Sequence, residues 1–113
     1  SPELIERYME ATSSDTVRSR SYTGKPARML RSAWTDAWEA PKGPGPLGMP
    51  LQNILTAEAN ARIARSHRKD IAFAPVGQIV GSMKSVRPVR DVMFDLVDQY
   101  IDTVKKLNAG LEG

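Results

Sequence analysis

Two short segments of this chain carry residue types that could do chemistry. The first is Thr23-Gly24-Lys25-Pro26-Ala27-Arg28-Met29-Leu30-Arg31. Gly24 permits a sharp turn with positive φ. Pro26 suits the first turn of a helix, where its missing N–H has no partner to lose. Arg28 and Arg31, three apart, would share one face of that helix. With Arg18, Arg20 and Lys25 they bring five cations to one corner, against the single acid Asp15. Beside a helix N-terminus such a group holds a phosphate or carboxylate. As a solvated basic face it would instead pair with Asp36 or Glu39. The second segment is Gly77-Gln78-Ile79-Val80-Gly81. The Gln78 amide donates and accepts hydrogen bonds, which suits the polar edge of a bound ligand or substrate. Gly77 and Gly81 let backbone approach a ligand closely. The alternative is a plain turn entering a short helix.

No other constellation adds to these. His67 is the only histidine and sits in the basic run Arg65-Ser66-His67-Arg68-Lys69. No nucleophile, base and orienting acid can be assembled around it, so it reads as a surface side chain. Trp34 and Trp38 fall on an apolar stripe and read as core or interface anchors. The absence of cysteine excludes disulfides, thiolate metal sites and a Cys nucleophile. There is no metal-ligand cluster and no phosphate-cradling Gly-rich loop. The chain therefore holds no complete active site, and no residue is assigned a catalytic role.

The elements that must position these residues are mostly helical. A short amphipathic helix is expected over 3–11, with Ser1 as its cap and Pro2 at its first position. Thr16–Tyr22 fits a short strand whose partner is Ile71-Ala72-Phe73 or lies outside the chain. Residues 26–39 read as a second helix, with Leu30, Ala33, Trp34, Ala37 and Trp38 at helical spacing. Pro41–Pro50 holds four prolines and three glycines and is a loop. A third helix spans 52–68, with Leu51, Ile54, Leu55, Ala61, Ile63 and Ala64 as its apolar positions and a basic end that complements the helix dipole. Pro75 leads through a tight turn into a short helix. Pro88 opens the longest helix, to about Leu107, on an unbroken stripe from Val89 through Met93, Val97 and Tyr100 to Val104. The result is a mainly α chain of about four helices with room for one short hairpin.

At 113 residues this is one domain or less. Hydrophobic residues at 41% and charged residues at 26% are in the globular range. The net charge of +3, with both signs interspersed, falls short of a nucleic-acid footprint. No apolar run approaches the ~18 residues that span a bilayer, and Ser1-Pro2-Glu3-Leu4 lacks the pattern of a signal peptide. A cytoplasmic location with no nucleic-acid or membrane partner is expected. The start at Ser1, without an initiator Met, points to a piece of a longer polypeptide.

The order of these segments resembles the C-terminal part of the bacterial nitronate monooxygenases, also called 2-nitropropane dioxygenases. Asp15-Thr16-Val17-Arg18-Ser19-Arg20 precedes Thr23–Arg31. Pro46-Leu47-Gly48-Met49-Pro50-Leu51-Gln52 resembles the family's proline-flanked "PLQ" segment. Gly77-Gln78-Ile79-Val80-Gly81 resembles its "GQ…G" turn, and Arg87-Pro88-Val89-Arg90-Asp91-Val92 opens a final helix of the same kind. The resemblance implies the C-terminal portion of a (β/α)₈ barrel flavoenzyme with a lid domain. Residues 1–12 would be a barrel-flanking helix, 13–70 the lid segment with its Pro/Gly loop 41–50, and 71–113 a turn and helices that pack on the barrel. It implies FMN in the full-length protein, with Gly77 and Gln78 the positions here that approach it, and a nitronate or related small molecule as substrate. Flavin-dependent enoyl reductases are close relatives of the family. The family's catalytic histidine and phosphate-binding glycines match nothing in this chain, so the segment alone is expected to be inactive and to bind no FMN. The competing reading is a non-catalytic helical interaction or dimerisation module. On either reading, uncovered apolar helix faces lead to self-association.

Overall fold

The computed structural model describes residues 2–113. In chain order it holds α1 (Pro2–Glu10), a 3₁₀ turn (Ser13–Asp15), β1 (Thr16–Ser19), β2 (Ala27–Leu30), α2 (Ala33–Glu39), α3 (Leu51–Ser66), a second 3₁₀ turn (Gln78–Ser82) and α4 (Val89–Glu112). The Ser1 cap expected for α1 lies outside the described residues.

The helix expected over 26–39 is corrected. Its first part is a strand, and only Ala33–Glu39 is helical. Strand β2 pairs antiparallel with β1 in the register Thr16↔Leu30, Val17↔Met29, Arg18↔Arg28, Ser19↔Ala27. Its other edge takes up Ala74–Val76: the Leu30 N–H donates to Ala74 O (2.9 Å), and the Val76 N–H donates to Arg28 O (3.2 Å). Met29 and Leu30, consecutive and so on opposite faces of the strand, are both buried. The strand partner expected at 71–73 is likewise corrected: Thr16–Ser19 pairs with Ala27–Leu30 inside the chain. Helix α2 begins where Ser32 and Thr35 cap each other. The Thr35 N–H donates to Ser32 Oγ (3.3 Å) and the Ser32 N–H to Thr35 Oγ1 (3.0 Å), a reciprocal capping box. Pro26 therefore starts no helix.

The core is small. Ala11, Leu30, Ala74 and Val80 are buried together, with Leu4, Tyr8 and Val76 packed against them. The two 3₁₀ turns meet where Gly81 lies on Ser13, and a Cβ at Gly81 would collide with Ser13 Oγ. Helix α3 reverses its expected polarity: it buries Gln52 and Thr56 and leaves Leu51, Ile54 and Leu55 exposed. Helix α4 buries nothing, and its apolar residues range from 40% exposed at Val92 to 87% at Leu111. The radius of gyration is 18.5 Å, against about 13 Å for a compact chain of this size. The folded body is thus α1 to Lys84, from which α4 stands away.

Candidate functional site

The motif around Gly24 and the proline-flanked segment before Gln52 form one joint. Gly24 has φ +88°, and its N–H closes the turn onto Arg20 O at 2.9 Å. A Cβ there would stand 2.5 Å from Met49 N and 2.7 Å from Leu47 O. Two requirements thus converge on glycine: a left-handed backbone and direct backbone contact with the loop. Fully buried Gln52 completes the joint. Its Nε2 donates to Ser21 O (2.8 Å) and its Oε1 accepts from the Leu47 N–H (3.0 Å). Thr56 Oγ1 donates to Gln52 O at 2.9 Å. On the other side of the turn, Glu39 accepts from Ser19 Oγ (2.7 Å) and the Arg20 N–H (3.2 Å). The end of the Pro/Gly loop is therefore fixed to the hairpin turn by backbone contact and one buried amide.

The basic group is dispersed by the strand. Arg31 Nε pairs with Asp36 Oδ1 at 2.8 Å on an exposed surface, as the solvated-face reading expects. The other acid of that reading, Glu39, holds Ser19 and Arg20 instead. Arg18 and Arg28 stand opposite each other across the ladder, both exposed, and Arg28 Nη1 donates to Thr16 Oγ1 at 3.0 Å. Because Ala27–Leu30 is extended, Arg28 and Arg31 share no helix face. No helix N-terminus lies at Pro26 to complete an anion site. Arg7 serves structure: its guanidinium donates to Ala72 O (3.0 Å) and Arg31 O (3.1 Å), and burial lowers its pKa.

Gly77 and Gln78 are both exposed at the entry to the second 3₁₀ turn. A Cβ at Gly77 would meet open space. Val80, fully buried, anchors the turn from beneath. Neither residue lines either of two cavities found among the described residues. The first cavity, about 320 Å³, lies between α1, the end of α3 and a stacked aromatic pair. Tyr22 and Phe73 stack with ring centroids 3.6 Å apart and planes within 4°. His67, Arg68 and Lys69 stand at its rim. His67 ends α3 in the left-handed conformation, φ +57°, and its Nδ1 lies 3.6 Å from Glu3 Oε1. The second cavity, about 470 Å³, mixes both charges, with Arg7 and Arg31 facing Glu10, Asp15 and Asp36. Among the described residues no His, Cys, Asp and Glu gather into a metal site, and no helix is long and apolar enough to cross a membrane. Sequence reasoning offered 71–73 as a strand partner for 16–22 but missed the ring stack of Tyr22 on Phe73, and it missed the buried Gln52 amide. Nothing local links Tyr22 to Phe73, whereas a polar residue just after the last loop proline was a visible cue.

No protein-family model matches the chain. It is 50% identical over 112 residues to the Mycobacterium tuberculosis candidate monooxygenase Rv1533, a match that covers 94% of this chain. The chain spans about 30% of that relative's length. Among solved structures it is similar to FabK from Thermotoga maritima, with a TM-score of 0.71 at 24% identity over 96% of this chain and 34% of that one. A single-site mutant of the same protein gives a TM-score of 0.61 at 24% identity, over 96% of this chain and 30% of that one. At this identity the likeness is one of fold: the mainly helical chain with its two-stranded sheet has the fold of about a third of a larger structure.

Proposed function

We propose that this chain is the C-terminal segment of an FMN-dependent, nitronate monooxygenase-like oxidoreductase, incomplete for catalysis on its own. The observation that carries the reading is the 50% identity, along nearly all of the chain, to a candidate monooxygenase of which the chain spans about 30%. The fold likeness to a third of FabK supports it. So do the apolar faces of α3 and α4, which are uncovered here and fit packing against the rest of the same polypeptide.

In this reading residues 13–70 form the wall that covers the site, and the Gly24–Gln52 joint sets that wall in place before substrate arrives. Such a cover excludes water from the reacting groups. The exposed Gly77 and Gln78 fit the edge of a flavin: the glycine offers no steric bar and the amide both donates and accepts. FMN, when bound by the full-length protein, supplies the electron transfer from the nitronate to O₂. Gln78 would hydrogen-bond its edge. No described residue is given the role of catalytic base.

The test is to purify the full-length protein and record its flavin absorbance and its O₂ consumption with an alkyl nitronate. A yellow protein that consumes O₂ supports the reading. A folded, colourless, inactive protein that cannot be loaded with FMN would overturn it. Reduction of an enoyl thioester without nitronate oxidation would keep the oxidoreductase and remove the monooxygenase.

A further inference from the structure

We infer that the cavity between α1, the end of α3 and the Tyr22–Phe73 pair binds a small amphipathic monoanion: a ring-sized apolar body with one carboxylate-like head. The inference stands apart from the flavin reading, since the cavity includes neither Gly77 nor Gln78. Its volume, about 320 Å³, is at the lower end of the range for small-ligand pockets. Its walls are apolar and aromatic: Leu4 from α1, Ile63 and Ala64 from α3, and the stacked rings of Tyr22 and Phe73. A flat apolar body gains both burial and ring contact against such walls.

The head is specified by the rim. His67, Arg68 and Lys69 line it against one acid, Glu3. The left-handed turn at His67 brings the chain back past the end of α3, so that three consecutive residues border the same opening. Arg68 and Lys69 are held by Asp70 and Glu6, at 2.6 and 2.7 Å, in pairs about half exposed to solvent. Pairs of that kind are worth ~1 kcal/mol or less, so an anion at the opening competes with them at little cost. Asn60 adds a polar contact: its Nδ2 donates to Thr56 Oγ1 at 3.1 Å, leaving the second amide hydrogen and the Oδ1 for a ligand.

The experiment titrates the ¹⁵N-labelled chain with phenylacetate, with its neutral counterpart 2-phenylethanol and with acetate, following every amide by NMR. Saturable shifts at Tyr22, Phe73 and 67–69 are expected, tighter for phenylacetate than for either control. Ala64→Phe, at an exposed position on the cavity wall, should abolish them by filling the space. Lys69→Gln should weaken binding about threefold. If Ala64→Phe does not fold, Lys69→Gln and Arg68→Gln, at exposed sites, carry the test. Equal binding of 2-phenylethanol would overturn the anion preference. Shifts confined to α4, no shifts at the cavity, or unchanged affinity in folded Ala64→Phe would overturn the site.

Discussion

Gly24 shows how one missing side chain can tie two distant segments together. Its φ of +88° and the 2.5 Å from an added Cβ to Met49 N make it irreplaceable on two independent counts. Gly24→Ala is expected to cost on the order of 2–3 kcal/mol, read as a lower urea midpoint with an unchanged slope. The opposed pair Arg18 and Arg28 makes the contrary prediction. Like charges facing each other across a ladder repel, and both side chains are exposed. Arg18→Thr removes the repulsion and adds a β-branched residue, so it should stabilise the chain by ~0.5 kcal/mol, visible as a small rise in melting temperature.

At the scale of elements, α1 and α4 are legible in the sequence from their apolar periods, and α3 from its helix-favouring alanines, Ala57, Ala59, Ala61 and Ala64. The long stripe from Val89 to Val104 predicts the start of α4 and places its end at about Leu107, whereas the helix continues to Glu112. Strand β2 is not legible. Leu30, Ala33, Trp34, Ala37 and Trp38 do recur at helical spacing, and only the distant partners Thr16–Ser19 and Ala74–Val76 decide for a strand. The polarity of α3 is hidden for the same reason, since Gln52 and Thr56 are buried by the loop and turn they bond, not by an apolar face. Of the candidate site, the glycines and the proline-flanked segment can be read from sequence. Their meeting, and the Tyr22–Phe73 cavity, cannot. The turn between α1 and β1 makes a pH prediction. Asp15 Oδ2 accepts from the Thr12 N–H (2.7 Å) and Thr12 Oγ1 (2.8 Å), and these bonds hold its pKa below the ordinary Asp value. The charged form is favoured in the fold. Its contribution is therefore present above the ordinary Asp range and is lost as pH falls through and below it. Thermal unfolding across an acid pH series should show that loss, and Asp15→Asn should flatten it.

At the scale of the whole molecule, the unburied apolar faces decide behaviour. Leu51, Ile54 and Leu55 on α3 and the full stripe of α4 stand in solvent, more than a stable monomer tolerates. Sedimentation of the 113-residue chain should show concentration-dependent association. Val97→Glu with Ile101→Glu should return it towards a monomer. A strict monomer at high concentration would contradict this, and would leave the interaction-module reading without its surface.

Lys84 marks a further boundary. Its Nζ donates to Ala11 O (2.7 Å) and Met9 O (3.2 Å), tying the chain back to α1. Beyond it, among the described residues, the side-chain hydrogen bonds and ion pairs of α4 stay within 87–112. Cooperativity should therefore end at that lysine. In the monomeric Val97→Glu, Ile101→Glu variant the body from α1 to Lys84 melts as one unit, while α4 follows the gradual helix–coil behaviour of an isolated 24-residue helix. Heating followed by far-ultraviolet circular dichroism should trace two transitions, and tryptophan fluorescence, from Trp34 and Trp38 alone, should see only one.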